Sequence, residues 1–565
     1  MNRTSLVPPL AAALAVLALP LLPTTAGAEE PTTLTGRVVA TVGERPGGLP
    51  SVTQAIRSAD GALQAVTADE PLPDGSRVTA TVTDGSDDVV EVESYALRAR
   101  APKVTPHAAV HQVYVALVTP AGHPLASNKN TFEAVTGFVN RASDYWESQT
   151  GGAVEFAVDP THLANYSSAY GCDGSPDTVY DMWNEALERF PADGSGTPLP
   201  LGPDKHLLLV APAGLSELDD CEYGYGTIGL HANDTMNAVF VTGFPGQDPQ
   251  SLYAHELGHN LGLHHSDGLS CPTAQDTRLQ VASYGVVAVG NACRYRPYDD
   301  LLDVMGYSGP TYGEGSLNVA HVEDLGFDHD ALTQLGTGSG TFTIAPLSDS
   351  SAPVRGLKVT DAAGVDYFVQ YRTASGRDSV ALRNPQAPQL GVEVLRENPS
   401  VDTADTDQWT SPFSGSVLLD PTPSTTGDYR RALPVGGVFR SADGLVSVRV
   451  ARAAADGATV VVRSTATKQL SSSTSVSAPK RVRKGARFTV TGTLSDSART
   501  PVPFTDVILQ RRYGKKPWAT VKTVRTDVRG VASVRTSTRK NASYRWTFSA
   551  GSTTRHSVTK AVRLR

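Results

Sequence analysis

The densest chemistry in the chain lies in SLYAHELGHNLGLHHS, residues 251–266. His255 and His259 are four residues apart. On an α-helix that offset leaves about 40° of rotation, so both imidazoles project from one side, one turn apart. Neutral imidazoles at this spacing suit Zn2+, which takes nitrogen ligands in tetrahedral geometry. Glu256 stands beside the first histidine, where a carboxylate can take a proton from an attacking water and pass it to a leaving amine. A hydrolytic zinc site needs a third protein ligand and one open position. Gly262 can adopt the left-handed conformation that ends a helix and swings the chain back. His265 then comes within reach, with His264 as its competitor. His265 is preferred because it completes H-E-x-x-H-x-x-G-x-x-H at His255, Glu256, His259, Gly262 and His265. Four of the chain's 13 histidines fall between 255 and 265. A buried structural zinc is the blander alternative, and the carboxylate of Glu256 argues against it.

Other residues with chemical potential read more plainly. Gly224, Gly226 and Gly229 match G-x-G-x-x-G, but the match follows an acidic loop and no helix opens from it. A Gly-rich loop is expected there, not a dinucleotide site. His206 and His231 read as structural. The sequons at Asn165, Asn233 and Asn541 carry little weight in a chain of this length. Asp-rich turns could take Ca2+, but such loops are ordinarily just solvated. Cys172, Cys221, Cys271 and Cys293 allow three pairings. The sequential one, Cys172–Cys221 and Cys271–Cys293, is the simplest.

The elements that must position these groups can be read from periodicity. Residues 1–28 have a basic start at Arg3, an apolar run over 10–22 broken by Pro20, and a small-x-small end at Ala26-Gly27-Ala28. This reads as a cleaved export signal, so the chain is expected to be secreted, with disulfides permitted and no transmembrane segment in the mature protein. Residues 29–104 alternate apolar and polar positions between Asp-Gly turns, as a small β domain or propeptide would. Residues 105–335 mix strands (HQVYVALV, AVEFAV, KHLLLVAP, NAVFVTGF) with three helices. Two of these are 131–150 and a segment with Asp177 as its expected N-cap; the third begins near Pro249 and carries the histidines. Residues 336–464 read as a β-sandwich, 465–478 as a Ser/Thr-rich linker, and 479–565 as an immunoglobulin-like β domain. The expected fold class is therefore multidomain: an α/β (α+β) body between β domains.

The completed histidine pattern resembles the metzincin clan of zinc metallopeptidases. The resemblance covers roughly residues 107–335. That clan carries a methionine in a tight turn beneath the metal, and LLDVMGYSG supplies Met305, 40 residues after His265. Within the clan, HELGHNLGLHH, DVMG and LNVAHVEDLGF look most like the gametolysin-like (reprolysin-like) group; Gly262 departs from the asparagine found there in some members. The resemblance implies three zinc ligands (His255, His259, His265), Glu256 as general base, Met305 as structural floor, and Tyr307 near the metal or in the pocket wall. It also implies that a strand above the metal pairs with extended substrate, for which 237–241 is the expected segment. Some matrix-type relatives use a propeptide cysteine for latency; no cysteine precedes Cys172, so latency here must use a carboxylate, a histidine or steric cover.

The chain has 565 residues and a formal net charge of −8, which excludes an overall polycation and a specific nucleic-acid partner. The average hides a split. Residues 479–565 hold 21 Lys/Arg against Asp496, Asp506 and Asp527 alone. The resulting expectation is a secreted zinc endopeptidase, made as a zymogen. Its protein or peptide substrate would be cut at the histidine site. Its basic last domain would tether it to an anionic cell wall, membrane or polysaccharide. The rival from another class is a non-catalytic, adhesin-like surface binder that works through its β domains.

Overall fold

In the computed structural model the described residues run from 32 to 564, apart from internal stretches of which 398–414, 191–201, 213–223 and 307–314 are the longest. The expected export segment lies outside the described residues.

The first five strands are β1 (Thr32–Glu44), β2 (Ser51–Arg57), β3 (Leu63–Thr67), β4 (Arg77–Asp84) and β5 (Val90–Ala99). They close into a ring, because β1 pairs with both β2 and β4 while β3 and β5 pair with each other. Val38, Ile56, Val66, Leu72, Val78 and Val82 fill it. β1 is shared between this small barrel and the neighbouring sheet, since residues 40–43 pair with β2 on one side and β9 on the other. Its first part pairs with β4, and its last five residues continue along the neighbouring sheet.

That sheet contains β6 (Ala109–Thr119), β7 (Val154–Ser167), β8 (Lys205–Ala211), β9 (Gly224–Ile228) and β10 (Asn237–Thr242), in the order β1-β9-β10-β8-β6-β7. β6, β7, β8 and β10 are parallel, and β9 alone among these five runs antiparallel. Both faces are covered. Val113, Val115 and Leu117 of β6 pack against α1 (Phe132–Thr150) and α3 (Gln250–Asn260), while Tyr114, Ala116 and Val118 pack against α2 (Pro176–Arg189). This two-sided burial explains the unbroken apolar run of β6. Thr131 caps α1 by accepting a hydrogen bond from the Ala134 amide at 3.1 Å. α2 begins at Pro176, so Asp177, the expected cap, falls inside its first turn.

Two sequence expectations are corrected here. Residues 237–241 form β10, which is flanked by β8 and β9 and so cannot offer an edge. Beyond β10 lies β9, formed by the glycine-rich segment expected to be a loop, and the other side of β9 is paired with β1.

The sandwich comprises a seven-stranded sheet and a four-stranded sheet around Leu269, Leu357, Val369, Val394, Phe439 and Val460. The expected boundary at 335/336 runs through it. Strands Ser266–Ser270 and Leu332–Leu335 belong to the same sheet as Gly356–Thr360 and Ser416–Leu419. Helical periodicity stops at that point, and nothing within the strands contributed from before it marks their partner sheet. The last domain has its own core around Val490, Leu509, Tyr544 and Trp546. The Ser/Thr-rich stretch is not a free tether, because Ser471–Thr474 pairs with Arg487–Asp496. Arg440 of the sandwich also binds Asp496 at 2.7 Å, and the Val438 amide donates to Val528 O at 2.9 Å.

The described part of the chain is thus a multidomain, β-rich protein with one α/β body. Among the described residues no helix is long and apolar enough to cross a membrane.

Candidate metal centre

α3 is buried along its length, and each neighbour fixes one side of it. Trp146 of α1 donates its indole N–H to Ala254 O at 3.1 Å. Gly258 makes room for Met305, whose sulfur would lie 2.4 Å from a Cβ at that position. The glycines of β9 do the same on the other side. A Cβ at Gly224 would fall 1.8 Å from Glu256 Oε1, one at Gly226 3.3 Å from His259 Cβ, and one at Gly229 2.4 Å from Asn260 O. The G-x-G-x-x-G spacing is therefore a packing seam that lets the histidine helix lie directly on a strand. Asn260 closes the seam by donating to Thr227 O (2.8 Å) and Ala238 O (3.2 Å), while its own oxygen meets His206 Nδ1 at 3.0 Å. His206 in turn meets His111 at 2.9 Å. Burial holds His206 down at about 3 and His111 at about 4, so both are neutral links in the network.

Gly262 has φ +96°, a conformation L side chains rarely adopt, and a Cβ there would press on Gly229 O at 3.1 Å and His231 N at 3.2 Å. The Leu263 amide returns to Gly258 O at 3.1 Å, and the chain then reverses to bring up His265. The Nε2 atoms of His255 and His259 are 3.1 Å apart, and the three ring centroids lie 4.8, 4.9 and 5.3 Å from one another. Two Nδ1 atoms are fixed from behind: His255 donates to Val304 O at 2.6 Å and His259 to Leu263 O at 2.8 Å. This turns the Nε2 lone pairs inward, the orientation that metal-ligating histidines take. Two ligands at about 2.0–2.1 Å in tetrahedral array stand roughly 3.3 Å apart, so the 3.1 Å separation fits one small cation. Met305 is fully buried beneath the helix. Its turn is held by Asp303, which accepts from the Met305 amide (2.8 Å) and the Asn318 amide (2.6 Å). Burial pushes the Asp303 carboxyl up, but His321 beside it brings it below the usual range.

A carboxylate that the histidine pattern does not contain stands among the three imidazoles. Glu44, the last residue of β1, places Oε1 2.5 Å from His255 Nε2, 3.0 Å from His265 Nε2 and 3.7 Å from His259 Nε2. Glu44, His255, His259 and His265 are all buried and form a group that can hold a metal ion. Burial alone would raise the Glu44 carboxyl; the three imidazoles, His255 foremost, hold it well below the ordinary range. Burial lowers His259 to about 3. Metal binding needs an ionised carboxylate and neutral imidazoles. Burial favours the neutral form of His255, but the Glu44 carboxylate against it raises that imidazole above its ordinary value, so an incoming cation would take the place of a proton there. Among the described residues no second group of this kind gathers around the Asp-rich turns.

Glu256 is fully buried, and its carboxylate lies between α3 and β9. Tyr307 lies outside the described residues. A different tyrosine, Tyr298, packs against His265 with ring centroids 4.3 Å apart and the rings tilted by 51°. Its backbone takes φ +60° and is held by its amide donating to Asp267 at 3.0 Å. Cys271–Cys293 is a disulfide. Cys172 is also disulfide-bonded, and Cys221 lies outside the described residues.

Comparison with known proteins adds no family. No family model and no curated protein matches the chain. Among solved structures, the sulfur carrier protein SoxY from Chlorobium limicola f thiosulfatophilum aligns at 19% identity over 17% of this chain and 81% of its own, with a TM-score of 0.14. A superoxide reductase (neelaredoxin) from Ignicoccus hospitalis aligns at 10% identity over 17% of this chain and 83% of its own, also at 0.14. Scores this low carry no argument about fold or activity.

Proposed function

We propose that the chain is a secreted zinc endopeptidase of metzincin type, closest in its motifs to the gametolysin-like group. The observation that carries this reading is the convergence of His255, His259 and His265 Nε2 on one point, with the Glu256 carboxylate buried on the same helix beside the first ligand. A zinc ion held by the three histidines would polarise a carbonyl and make water a competent nucleophile near neutral pH. Glu256 takes the proton of the attacking water on its carboxylate and later delivers it to the leaving amine. His255 and His259 are kept in the ligating orientation by Val304 O and Leu263 O. Met305 fills the space under the helix, so the ligands cannot sink. Extended substrate would pair with β9, and Tyr298 would wall the site beside His265.

The basic last domain is proposed to hold the enzyme on an anionic surface. Arg512 and Arg545 both lie over Trp518, at 4.8 and 4.3 Å, giving a cationic face with an aromatic floor. Casein hydrolysis by the secreted enzyme tests the catalytic reading: it should stop with a chelator, return with zinc, and be lost in Glu256→Ala. Activity that survives Glu256→Ala rejects it.

A further inference from the structure

The five terminal residues of β1 run antiparallel along β9, pairing Ala40 with Ile228 through Glu44 with Gly224. They cover the side of β9 that borders the metal centre, and residues 40–43 pair with β2 on their own far side. Residues paired across antiparallel strands share a face, so Glu44 projects on the side where Gly224 meets Glu256. The opposite face of β1 is pinned as well. Thr41 and Thr53 share a hydroxyl cluster with Tyr180 of α2 and Tyr225 of β9, with contacts of 2.5 to 3.0 Å. Arg37 grips Asp234 with two bonds of 2.8 and 2.7 Å. Asn184 of α2 exchanges two hydrogen bonds with the backbone of Leu63 at 3.0 and 3.1 Å. A Cβ at Gly75 would overlap Leu230 at 2.1 Å, so the barrel sits in direct contact with the body.

Resting on the peptidase reading, we infer that the N-terminal barrel is an intramolecular inhibitor: β1 takes the place of extended substrate on β9, and Glu44 takes the metal position that water needs. A catalytic zinc site keeps three protein ligands and an open position, whereas a site closed by four is inert. With Glu44 in place the centre has four. Activation then requires β1 to leave β9, which breaks the Arg37–Asp234 pair and the Thr41 hydroxyl cluster together.

The test uses the full-length chain loaded with cobalt(II) and titrated with acetohydroxamate, a small metal ligand, followed by visible absorption. A tethered carboxylate competes at an effective concentration of about millimolar or more. Wild type should therefore bind the probe roughly 100-fold more weakly than Glu44→Gln, with Arg37→Ala in between. Equal affinity in wild type and both variants overturns the inference. Loss of cobalt from Glu44→Gln also overturns it, since Glu44 would then be a permanent ligand. The two readings fail separately. Unmasking in Glu44→Gln without any casein hydrolysis rejects the peptidase and keeps Glu44 as the mask. A full-length wild type as active as Glu44→Gln rejects the mask and keeps the peptidase.

Discussion

On the proposed peptidase reading, replacing Gly224 with alanine would separate the metal from the proton carrier. The added Cβ would lie 1.8 Å from Glu256 Oε1, 2.6 Å from its Cδ and 3.1 Å from Leu252 Cδ1, and no histidine is among these neighbours. An ordinary carbon–oxygen contact is about 3.3 Å, so the carboxylate must retreat by about 1.5 Å. Misplacing a reacting group by about 1 Å can cost 10²-fold, and a general base contributes roughly 10²–10⁴-fold. A kcat of the active enzyme reduced about 10²- to 10³-fold follows, or about 3–4 kcal/mol of barrier. Alanine suits a strand interior slightly better than glycine, by about 0.5–1 kcal/mol, so the fold should survive. Zinc per chain, measured by metal analysis, should be unchanged. Gly336→Ala is the control, since nothing lies within 4 Å of a Cβ there. A Gly224→Ala enzyme with full zinc and a kcat within threefold of wild type would refute the assignment of Glu256.

Gly229→Ala presses on backbone instead, with Asn260 O 2.4 Å from the new carbon; urea unfolding should show a loss of about 1–3 kcal/mol, and no loss would mean the seam is looser than described. His111 and His206 are held below the ordinary histidine value by burial, at about 4 and 3. Their contribution to stability is complete above the unfolded value of about 6.5 and is lost as pH falls toward those folded values, with a slope approaching about 1.4 kcal/mol per pH unit for each proton. Urea midpoints between pH 7 and 5 should show that slope, and His111→Gln should remove about half of it. Cys271→Ser with Cys293→Ser opens a loop with a sequence separation of 22, and thermal unfolding should register a loss of about 3 kcal/mol. If residues 479–565 bind an anionic surface, retention on anionic vesicles should fall steeply between 50 and 500 mM salt, because screening shortens from about 14 to about 4 Å; salt-independent retention would reject charge as the cause.

The histidine helix was legible because its spacing is local: a four-residue offset and a helix-ending glycine are enough to bring two ligands to one side and a third back toward them. Strand existence was legible for a similar reason, since alternation is read within a few residues. Pairing was not. Nothing local places β9 in place of β10 beside β1, because both are buried and both would read as core. The glycines at 224, 226 and 229, in and just after β9, match a dinucleotide-binding pattern by spacing, and only the proximity of α3 gives them their meaning. Glu44 left a trace that could have been followed. In β1 the even positions Gly36, Val38, Ala40 and Val42 face inward, and Glu44 continues the row. A carboxylate at the end of an inward-facing apolar row is costly unless something cationic meets it. Its partners stand more than 200 residues away in sequence, at a distance no pattern within one strand could supply.

The third histidine has a mechanical setting as well as a chemical one. His265 is followed at once by strand Ser266–Ser270, which runs parallel to Ser416–Leu419, and Ser266 bonds to Asp300 and Ser416 at 3.0 and 2.9 Å. The sandwich therefore anchors one jaw of the metal grip, while α3, seated on the α/β body, carries the other two. A chain cut at residue 335 would keep all three histidines and lose the strand that tensions one of them. The sandwich is a fixed part of the tool.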